Sequence, residues 1–374
     1  MRLMHLVSSG GWGGREMYPL ALAEGQGRRG HKTCLVAKPN TPLAERLATC
    51  GIDYELLKVK SRLDLAAALD LSRILRRKSP ELIHLHLSRD LALVVMACTL
   101  SRLRPAIILH QHVAVKGTKR DPFHRHLYSR LSAVVAVSQY VADTIKKSWP
   151  VEDKLVEVIF NGIDTDAFTE RGTIDEKRRS TVRADLGVEG EGEILSAVLG
   201  RLDPKKGQDV FLKAAAIALE QDARMRFAVI GASEGNYGRH LEGLAAESGI
   251  EGRVVFTGFR PDINETLKAL DVLAVPSLEE AFGLVAVEGM LSGVPVVGAR
   301  AGALPEFIHD GGTGLLVPPS DPQALARSLS RLAADVRLRA RLGTQARAWA
   351  MENLSLGRSL DLLDRLYAKT LGMN

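Results

Sequence analysis

Two consecutive doubly wound α/β units are the fold this sequence predicts, and three observations predict them. Short apolar runs of the kind buried on both faces of a parallel sheet recur along the whole chain. Helical patterns stand between the runs, and a charged, glycine-containing stretch at 165–192, with EKRRS and GVEGEGE, parts them into two series. The first series has strands at 3–7, 33–36, 82–85, 107–109 and 134–137, with helices at 17–29 and 65–77 among those between. The second has strands at 194–199, 226–230, 254–257, 272–275 and 294–297, with helices at 208–220 and 264–269. At 374 residues the chain exceeds what one hydrophobic core usually supports, so two domains are expected, 1–165 and 166–354. In doubly wound folds ligands bind outside the carboxyl ends of the strands, and two such domains facing each other make a cleft lined by loops.

Composition narrows the setting. The chain is 46% hydrophobic and 25% charged, as a globular domain is. No apolar run reaches the roughly 18 residues of a membrane span; the longest, 91–100, contains Cys98 and Thr99. The opening MRLMHLVSSGG is interrupted by glycines too soon for a signal peptide. Cys34, Cys50 and Cys98 are far apart with no metal-ligand spacing, so no metal site is expected and a reducing cytoplasm is the expected compartment.

The net charge of +6 hides an asymmetry: residues 1–160 carry a surplus of +11 and the remainder −5. A surplus of +10 falls within 71–150, centred on RILRRK and KGTKRDPFHRHLYSR. The second segment interleaves Phe123, Leu127, Tyr128 and Leu131 at helical spacing with Arg125, His126 and Arg130. Such an element suits an anionic membrane surface or an anionic acceptor, and equally an ordinary surface helix with a solvated basic face. Aromatic residues total 5% with no stacking platform, which argues against nucleic acid.

The chemistry-bearing motifs fall at strand ends. In the segment 276–306, Glu280 and Glu288 bracket seven residues, and a helix opens around Gly283. Free amides at a helix start suit a diphosphate, and flanking carboxylates suit sugar and ribose hydroxyls; helix-end surface charge explains the same carboxylates. After the first strand of the second series, GRLDPKKGQD offers Arg201 as a planar fork and Lys206 as a point charge for a diphosphate. After strand 3–7 comes SSGGWGGREM, whose glycines permit close backbone approach. It is not a dinucleotide fingerprint, because the third glycine of GxGxxG falls at Glu16 and the second strand ends in Ala37-Lys38 rather than an acid. A nicotinamide enzyme is therefore disfavoured. His84, His86, His110 and His112 also stand at strand ends, and position alone argues for them.

In order along the chain, GGREM, NGIDTDAF (161–168), GRLDPKKG, VVFTGF (254–259), PSLEEAFGLVAVEG and the closing GVPVV and GALPE resemble the retaining glycosyltransferases of family 4 over nearly the whole length. That resemblance implies a GT-B architecture, with an N-terminal acceptor domain, a C-terminal nucleotide-sugar domain and a last helix, 355–374, crossing back to the first domain. It implies donor-binding roles for Gly13, Gly14, Arg201, Lys206, Arg260, Glu280, Phe282, Gly283, Leu284 and Glu288, with Arg260 near the nucleobase. Arg201 and Lys206 are implied to neutralise the departing diphosphate, Glu280 to hold sugar hydroxyls, and His112 to lie beside the reacting sugar. Glu16 and His110 are placed on the acceptor side. Three positions depart from the family pattern, Ala281, Gly289 and Ala303, each small for small.

The resemblance implies transfer of a hexose with retention, without a metal or other cofactor. The donor is expected to be a nucleoside-diphosphate sugar, UDP favoured over GDP. The acceptor is expected to be a saccharide or a lipid-linked molecule of cell-envelope polysaccharide or lipopolysaccharide synthesis, met by a cytoplasmic enzyme peripheral on the inner membrane face. A nucleotide-sugar epimerase and a nonenzymatic nucleotide-sugar-binding protein remain alternatives.

Overall fold

A seven-stranded, all-parallel sheet organises the first unit, in the order β3-β2-β1-β4-β5-β6-β7. Its strands are β1 (Arg2–Val7), β2 (Lys32–Ala37), β3 (Asp53–Leu56), β4 (Leu82–Leu85), β5 (Ala106–Gln111), β6 (Ala133–Ala136) and β7 (Val156–Val158). Between them run α1 (Gly14–Arg28), α2 (Pro42–Leu47), α3 (Leu65–Lys78), α4 (Leu91–Ser101), α5 (Pro122–Tyr128) and α6 (Gln139–Ser148). The second unit contains α7 (Glu176–Asp185), β8 (Ile194–Leu199), α8 (Gln208–Gln221), β9 (Met225–Ile230), α9 (Tyr237–Glu247), β10 (Val254–Gly258), α10 (Ile263–Ala269) and β11 (Val272–Val275). It continues with α11 (Leu284–Leu291), β12 (Val296–Ala299), β13 (Leu315–Val317), α12 (Pro322–Ala334) and α13 (Val336–Asn353), and the chain ends in α14 (Leu356–Leu371). Its six-stranded sheet has the order β10-β9-β8-β11-β12-β13. The computed structural model describes residues 1–61, 63–168, 174–233 and 235–373. Residues 1–163 with 356–374 make one compact unit and 164–355 the other.

Both sheets reverse direction after their first three strands, between β1 and β4 in one unit and between β8 and β11 in the other. Loops leaving adjacent strands at such a point turn to opposite sides of the sheet and open a crevice at the carboxyl edge. The site residues are positioned by this topology. Sequence drives it simply: β4, β6, β8, β9, β11 and β12 are buried along their whole length, as strands covered on both faces must be. Side-chain caps start the helices, with Asp64, Ser138 and Asp321 accepting from Ala67, Val141 and Ala324 amides. The apolar run at 91–100 is α4, buried nearly all round.

The last helix belongs to the first unit. Leu360, Leu363, Leu366 and Tyr367 of α14 share a core with Leu3, Leu22, Leu82, Ile108 and Val135. α14 lies so close on α1 that a Cβ at Gly25 would stand 2.5 Å from Leu360 Cδ1. Tyr18 and Ser359 hydroxyls bond at 2.6 Å, and Arg29 pairs with Asp361 at 2.8 Å and Asp364 at 2.9 Å.

Several expectations are corrected. The strands β3, β7 and β13 were not foreseen, because edge strands are short and, in β3 (DYEL), polar and largely exposed. Part of the stretch expected as a linker is α7, whose Arg183 donates to Asp271 (2.8 Å) and to the Ala269 and Glu193 carbonyls; residues 169–173 of that stretch lie outside the described residues. The basic clusters are partly consumed within the fold. Arg77 pairs with Glu55 at 2.7 Å, Lys78 with Asp53 at 2.7 Å and Arg73 with Asp70 at 2.5 Å; all three acids lie outside the basic window, two of them on β3. In the second segment α5 is seven residues long; Leu127, Tyr128 and Leu131 face the core and Phe123 is exposed. The apolar side of that helix is packing surface. No helix among the described residues is long and apolar enough to cross a membrane.

Candidate functional site

In the second unit, the loops after β8 and β11 meet at the sheet's switch point. Lys206, ending a short 3₁₀ turn (Pro204–Lys206), donates from Nζ to Glu280 Oε1 at 2.6 Å, and Ser277 Oγ donates to the same oxygen at 2.9 Å. The two loops are also sewn by their backbones, the Leu278 amide donating to the Lys205 carbonyl at 2.8 Å. Gly207 makes this possible. Its φ is +72°, and a Cβ there would lie 2.3 Å from the Pro276 carbonyl oxygen. On the other side the loop after β12 clamps Glu280: the Ala303 amide donates to its carbonyl at 2.9 Å, and a Cβ on Gly302 (φ +56°) would fall 2.1 Å from that oxygen. The clamp explains why Ala303 is tolerated beside Gly302. Ala303 is right-handed helical, so only the first residue of the pair must be glycine.

The remaining donor-side candidates are separate groups around this pair. Arg201 is exposed and leans on Asp203 at 3.3 Å, while its carbonyl accepts from Gln208 Nε2 at 3.1 Å. Arg260 follows β10 and forks onto Asp262 at 2.9 and 2.6 Å, with Asp185 at 3.5 Å. Gly283 caps α11 and Leu284 begins it; Phe282 is buried against Phe307, ring centroids 5.9 Å apart. Glu288, one turn into α11, makes no side-chain hydrogen bond or ion pair among the described residues, and burial pushes its carboxyl up to about 7. The next residue, Gly289, leaves room for Leu273: a Cβ would stand 2.4 Å from Leu273 Cδ2. The pair legible in the sequence was Glu280 with Glu288. The pair that the fold brings into contact is Glu280 with Lys206.

In the first unit, the loop after β1 runs through Gly13, the cap of α1, and Gly14, its first residue. Glu16 is buried behind it and accepts from Ser9 Oγ at 2.6 Å, tying the loop to the helix. Beside it Ser8 Oγ donates to the buried Asp90 at 2.6 Å, and burial pushes that carboxyl up to about 6. His110 is fully buried and stacked on His112, centroids 4.4 Å apart and 10° from parallel, with Tyr18 edge-on at 5.4 Å. His112 is nearly as buried; burial first, then the charge of Arg15, pull its pKa down to about 3. His112 Nε2 contacts His86 Nδ1 at 3.2 Å, and His86 Nε2 contacts His5 Nδ1 at 3.0 Å. Sequence reading missed His5, Gln26, Tyr367, Ser277 and Asp203. His5 alone carried a signal, a polar residue inside an apolar strand.

A two-unit, all-parallel protein with a cation–carboxylate pair at one switch point and buried histidines at the other has the architecture of the GT-B class. Comparison with known proteins carries this to a family. Residues 12–167 match the model of Glycosyltransferase Family 4, and 182–349 match that of Glycosyl transferases group 1. The D-inositol 3-phosphate glycosyltransferase of Saccharomonospora viridis is 32% identical over 320 residues, covering 78% of this chain and 70% of that protein. The chain therefore belongs to the family 4 glycosyltransferases. It spans about half to three fifths of two further relatives of that name, 48% of the protein from Streptomyces bingchenggensis (33% identical) and 62% of that from Corynebacterium jeikeium (34%), matching 57% and 67% of this chain. Among solved structures, Anabaena HepE in complex with UDP-glucose is similar at 25% identity and TM-score 0.81 over 99% of both chains. A glycosyltransferase from Rickettsia africae shares the fold at TM-score 0.89, with 20% identity over 99% of this chain and 98% of that one.

Proposed function

We propose that this chain is a retaining glycosyltransferase that moves a hexose from a nucleoside-diphosphate sugar, UDP-linked in preference to GDP-linked, to an anionic acceptor. The observation that carries the reading is the Lys206–Glu280 contact at the switch point of the second unit. A lysine and a carboxylate held 2.6 Å apart by two glycine-locked loops offer, side by side, a cation for a departing phosphate and an acceptor for sugar hydroxyls. Arg201 is close in sequence and free to swing from an exposed contact onto the same diphosphate. Glu288 receives the ribose hydroxyls, Arg260 stands toward the base, and the charge neutralisation that a metal supplies elsewhere falls here to Arg201 and Lys206. His112 lies beside the reacting sugar, and Gly13, Gly14, Glu16 and His110 form its surroundings. The first unit takes the acceptor.

The names of the inositol-phosphate relatives, and what remains of the +10 surplus within 71–150 once Arg73, Arg77 and Lys78 pair with Asp70, Glu55 and Asp53, support an acceptor bearing phosphate. A lipid-linked phosphorylated saccharide of the cell envelope fits that description and places the enzyme on the inner membrane face. The direct test is a thermal-shift screen with UDP, GDP and ADP, followed by incubation of a panel of nucleotide sugars with phosphorylated and neutral acceptors in the presence of a chelator. Stabilisation by UDP above the others and a product of unchanged anomeric configuration support the proposal, since stabilisation tracks affinity. An isomerised donor without transfer, or stabilisation with no turnover of any donor, sinks it in favour of the epimerase or the binding protein.

A further inference from the structure

Five buried histidines occupy one face of the first sheet, and their arrangement is ordered. His84 and His86 alternate on β4 and its end, and His110 and His112 on β5 and its end, so each pair points to the same side. His5 on β1 is directly opposite His84. The helices α1 and α14 cover that side with Gln26, Tyr18 and Tyr367. Within this packing two kinds of contact occur. His5, His86 and His112 meet nitrogen to nitrogen, at 3.0 and 3.2 Å, with centroids 5.3 and 5.4 Å apart and rings 19° and 18° from parallel. Centroid spacings that wide, at hydrogen-bonding nitrogen distances, describe rings joined edge to edge and nearly in line. His84 and His110 instead lie face-on against this row, at 4.6 Å from His86 and 4.4 Å from His112.

We propose that His5, His86 and His112 form a directional imidazole relay, anchored by Gln26 of α1 and Tyr367 of α14, that holds His112 in a single tautomer and ring orientation. Direction follows from proton counting. Burial lowers the pKa of His5 to about 4 and of His112 to about 3, and takes His86 well below its ordinary value, so each ring is neutral near pH 7 and has one N–H to give. Gln26 Nε2 donates to Tyr367 Oη at 3.1 Å, leaving Oε1 to accept from His5 Nε2 at 2.7 Å. His5 Nδ1 is then a lone pair, so His86 Nε2 must donate to it; His86 Nδ1 must in turn accept from His112 Nε2. The relay ends on a bare His112 Nδ1, which is buried and has no hydrogen-bond partner among the described residues. At the other end Tyr367 donates to His84 Nδ1 at 2.6 Å. Turning over the Gln26 amide would reverse every bond in the row, with Tyr367 Oη then donating to Gln26 and accepting from His84 Nδ1, so the tautomers of the three histidines read the sense of the row directly.

The alternative occupant is a metal ion, since His5, His84 and His86, and likewise His86, His110 and His112, place nitrogens within 4.8 Å of one another. Imidazole lone pairs lie in the ring plane and must converge on the ion. In each group two rings are stacked, His110 on His112 at 10° and His84 on His86 at 25° from parallel, so their lone pairs run side by side. The row is built to pass hydrogen bonds along itself. His5, His86, Gln26 and Tyr367 are accordingly positioning residues for His112; their effect on catalysis rests on the glycosyltransferase reading, but the relay does not.

Two-bond proton–nitrogen spectra of the full chain with ¹⁵N-labelled histidine at pH 7.5, assigned through single histidine variants, test the relay without substrate. The expected pattern is a protonated Nε2 and bare Nδ1 at His5, His86 and His112. Protonation at Nδ1 in any of the three, a doubly protonated ring, or stoichiometric uptake of Zn²⁺ that shifts their resonances overturns it. Tyr367→Phe removes one hydroxyl and is expected to mix the tautomers and lower kcat about 3- to 10-fold with the donor KM unchanged; Gln26→Glu, which still accepts from His5, is expected to retain the wild-type tautomers. A Tyr367→Phe protein with unaltered spectra overturns the anchoring role. If the wild-type spectra match and no sugar is transferred, the proposed function has failed and the relay stands.

Discussion

The two units share a strand order and a switch point, yet they treat polar side chains at that point in opposite ways. In the second unit the cations are partly exposed and each is matched, Lys206 with Glu280, Arg201 with Asp203 and Arg260 with Asp262, while Glu288 has no such partner among the described residues. In the first unit the groups are histidines sunk in the core, and burial keeps them neutral. A site that meets a diphosphate needs full charges, which tolerate only partial desolvation. One that orients a neutral group can be buried deeply, provided its hydrogen bonds are passed along. On the proposed function, one strand order thus supports an electrostatic site in the second unit and a dry positioning site in the first.

Acidification separates the two most strongly. A histidine whose folded pKa is depressed stabilises the protein above its unfolded value near 6.5, and that stability is lost as pH falls toward the folded value. For His5 and His112 the window runs from about 6.5 down to about 4 and about 3, each contributing a slope of about 1.4 kcal/mol per pH unit. His84, His86 and His110 shift the same way. Hydrogen exchange across this range is expected to show the first unit opening before the second; simultaneous loss would remove the contrast.

Next in size, Lys206→Ala is expected to slow transfer by about 100- to 1,000-fold, the range typical of removing one preorganised group that stabilises developing negative charge. Its effect on the second unit's unfolding should be about 1 kcal/mol, because the pair is only partly buried and Ser277 still donates to Glu280. Normal turnover in that variant would remove Lys206 from the chemistry. Gly207→Ala probes the loop that carries it: left-handed backbone plus contact with the Pro276 carbonyl should cost about 1–3 kcal/mol, seen as a lower denaturation midpoint with a matching loss of nucleotide affinity.

Glu288 sharpens the comparison from the other direction. Its folded pKa is raised to about 7, so the folded protein holds this proton more tightly than the unfolded chain, and the associated stability is lost as pH rises from about 4.5 through about 7. Ribose hydroxyls donate, so they select the ionised form. Affinity for a nucleoside-diphosphate sugar, which has no terminal phosphate titrating near pH 6, is therefore expected to weaken by up to about tenfold per pH unit below 7 when measured calorimetrically, with Glu288→Gln weaker and less dependent on pH over that range. A pH-independent wild-type affinity argues against a hydroxyl contact at Glu288.

Much of the second unit's chemistry was legible because its residues sit in short motifs that carry their own loop. GRLDPKKG contains the cations, the turn and the glycine that closes it; the 276–289 segment contains both carboxylates and the helix start. The first unit was less legible. Its histidines stood out at strand ends, but no local pattern marks Gln26 as the partner of His5, 21 residues away, or Tyr367 as the partner of Gln26, 341 residues away. Edge strands escaped for a related reason: half-exposed, polar β3 has no apolar run to announce it.

Periodicity and motif order alone determined the alternation of strand and helix, the division into two doubly wound units and the resemblance to family 4, since those features depend on neighbours within a few positions. Only the tertiary structure decided which charges meet and which rings line up. Lys206 reaches Glu280 across 74 positions, and His5 reaches His86 across 81, because parallel register brings distant strand ends to one edge of a sheet. A contact set by register has no local spacing to betray it, whereas a turn or a helix start does.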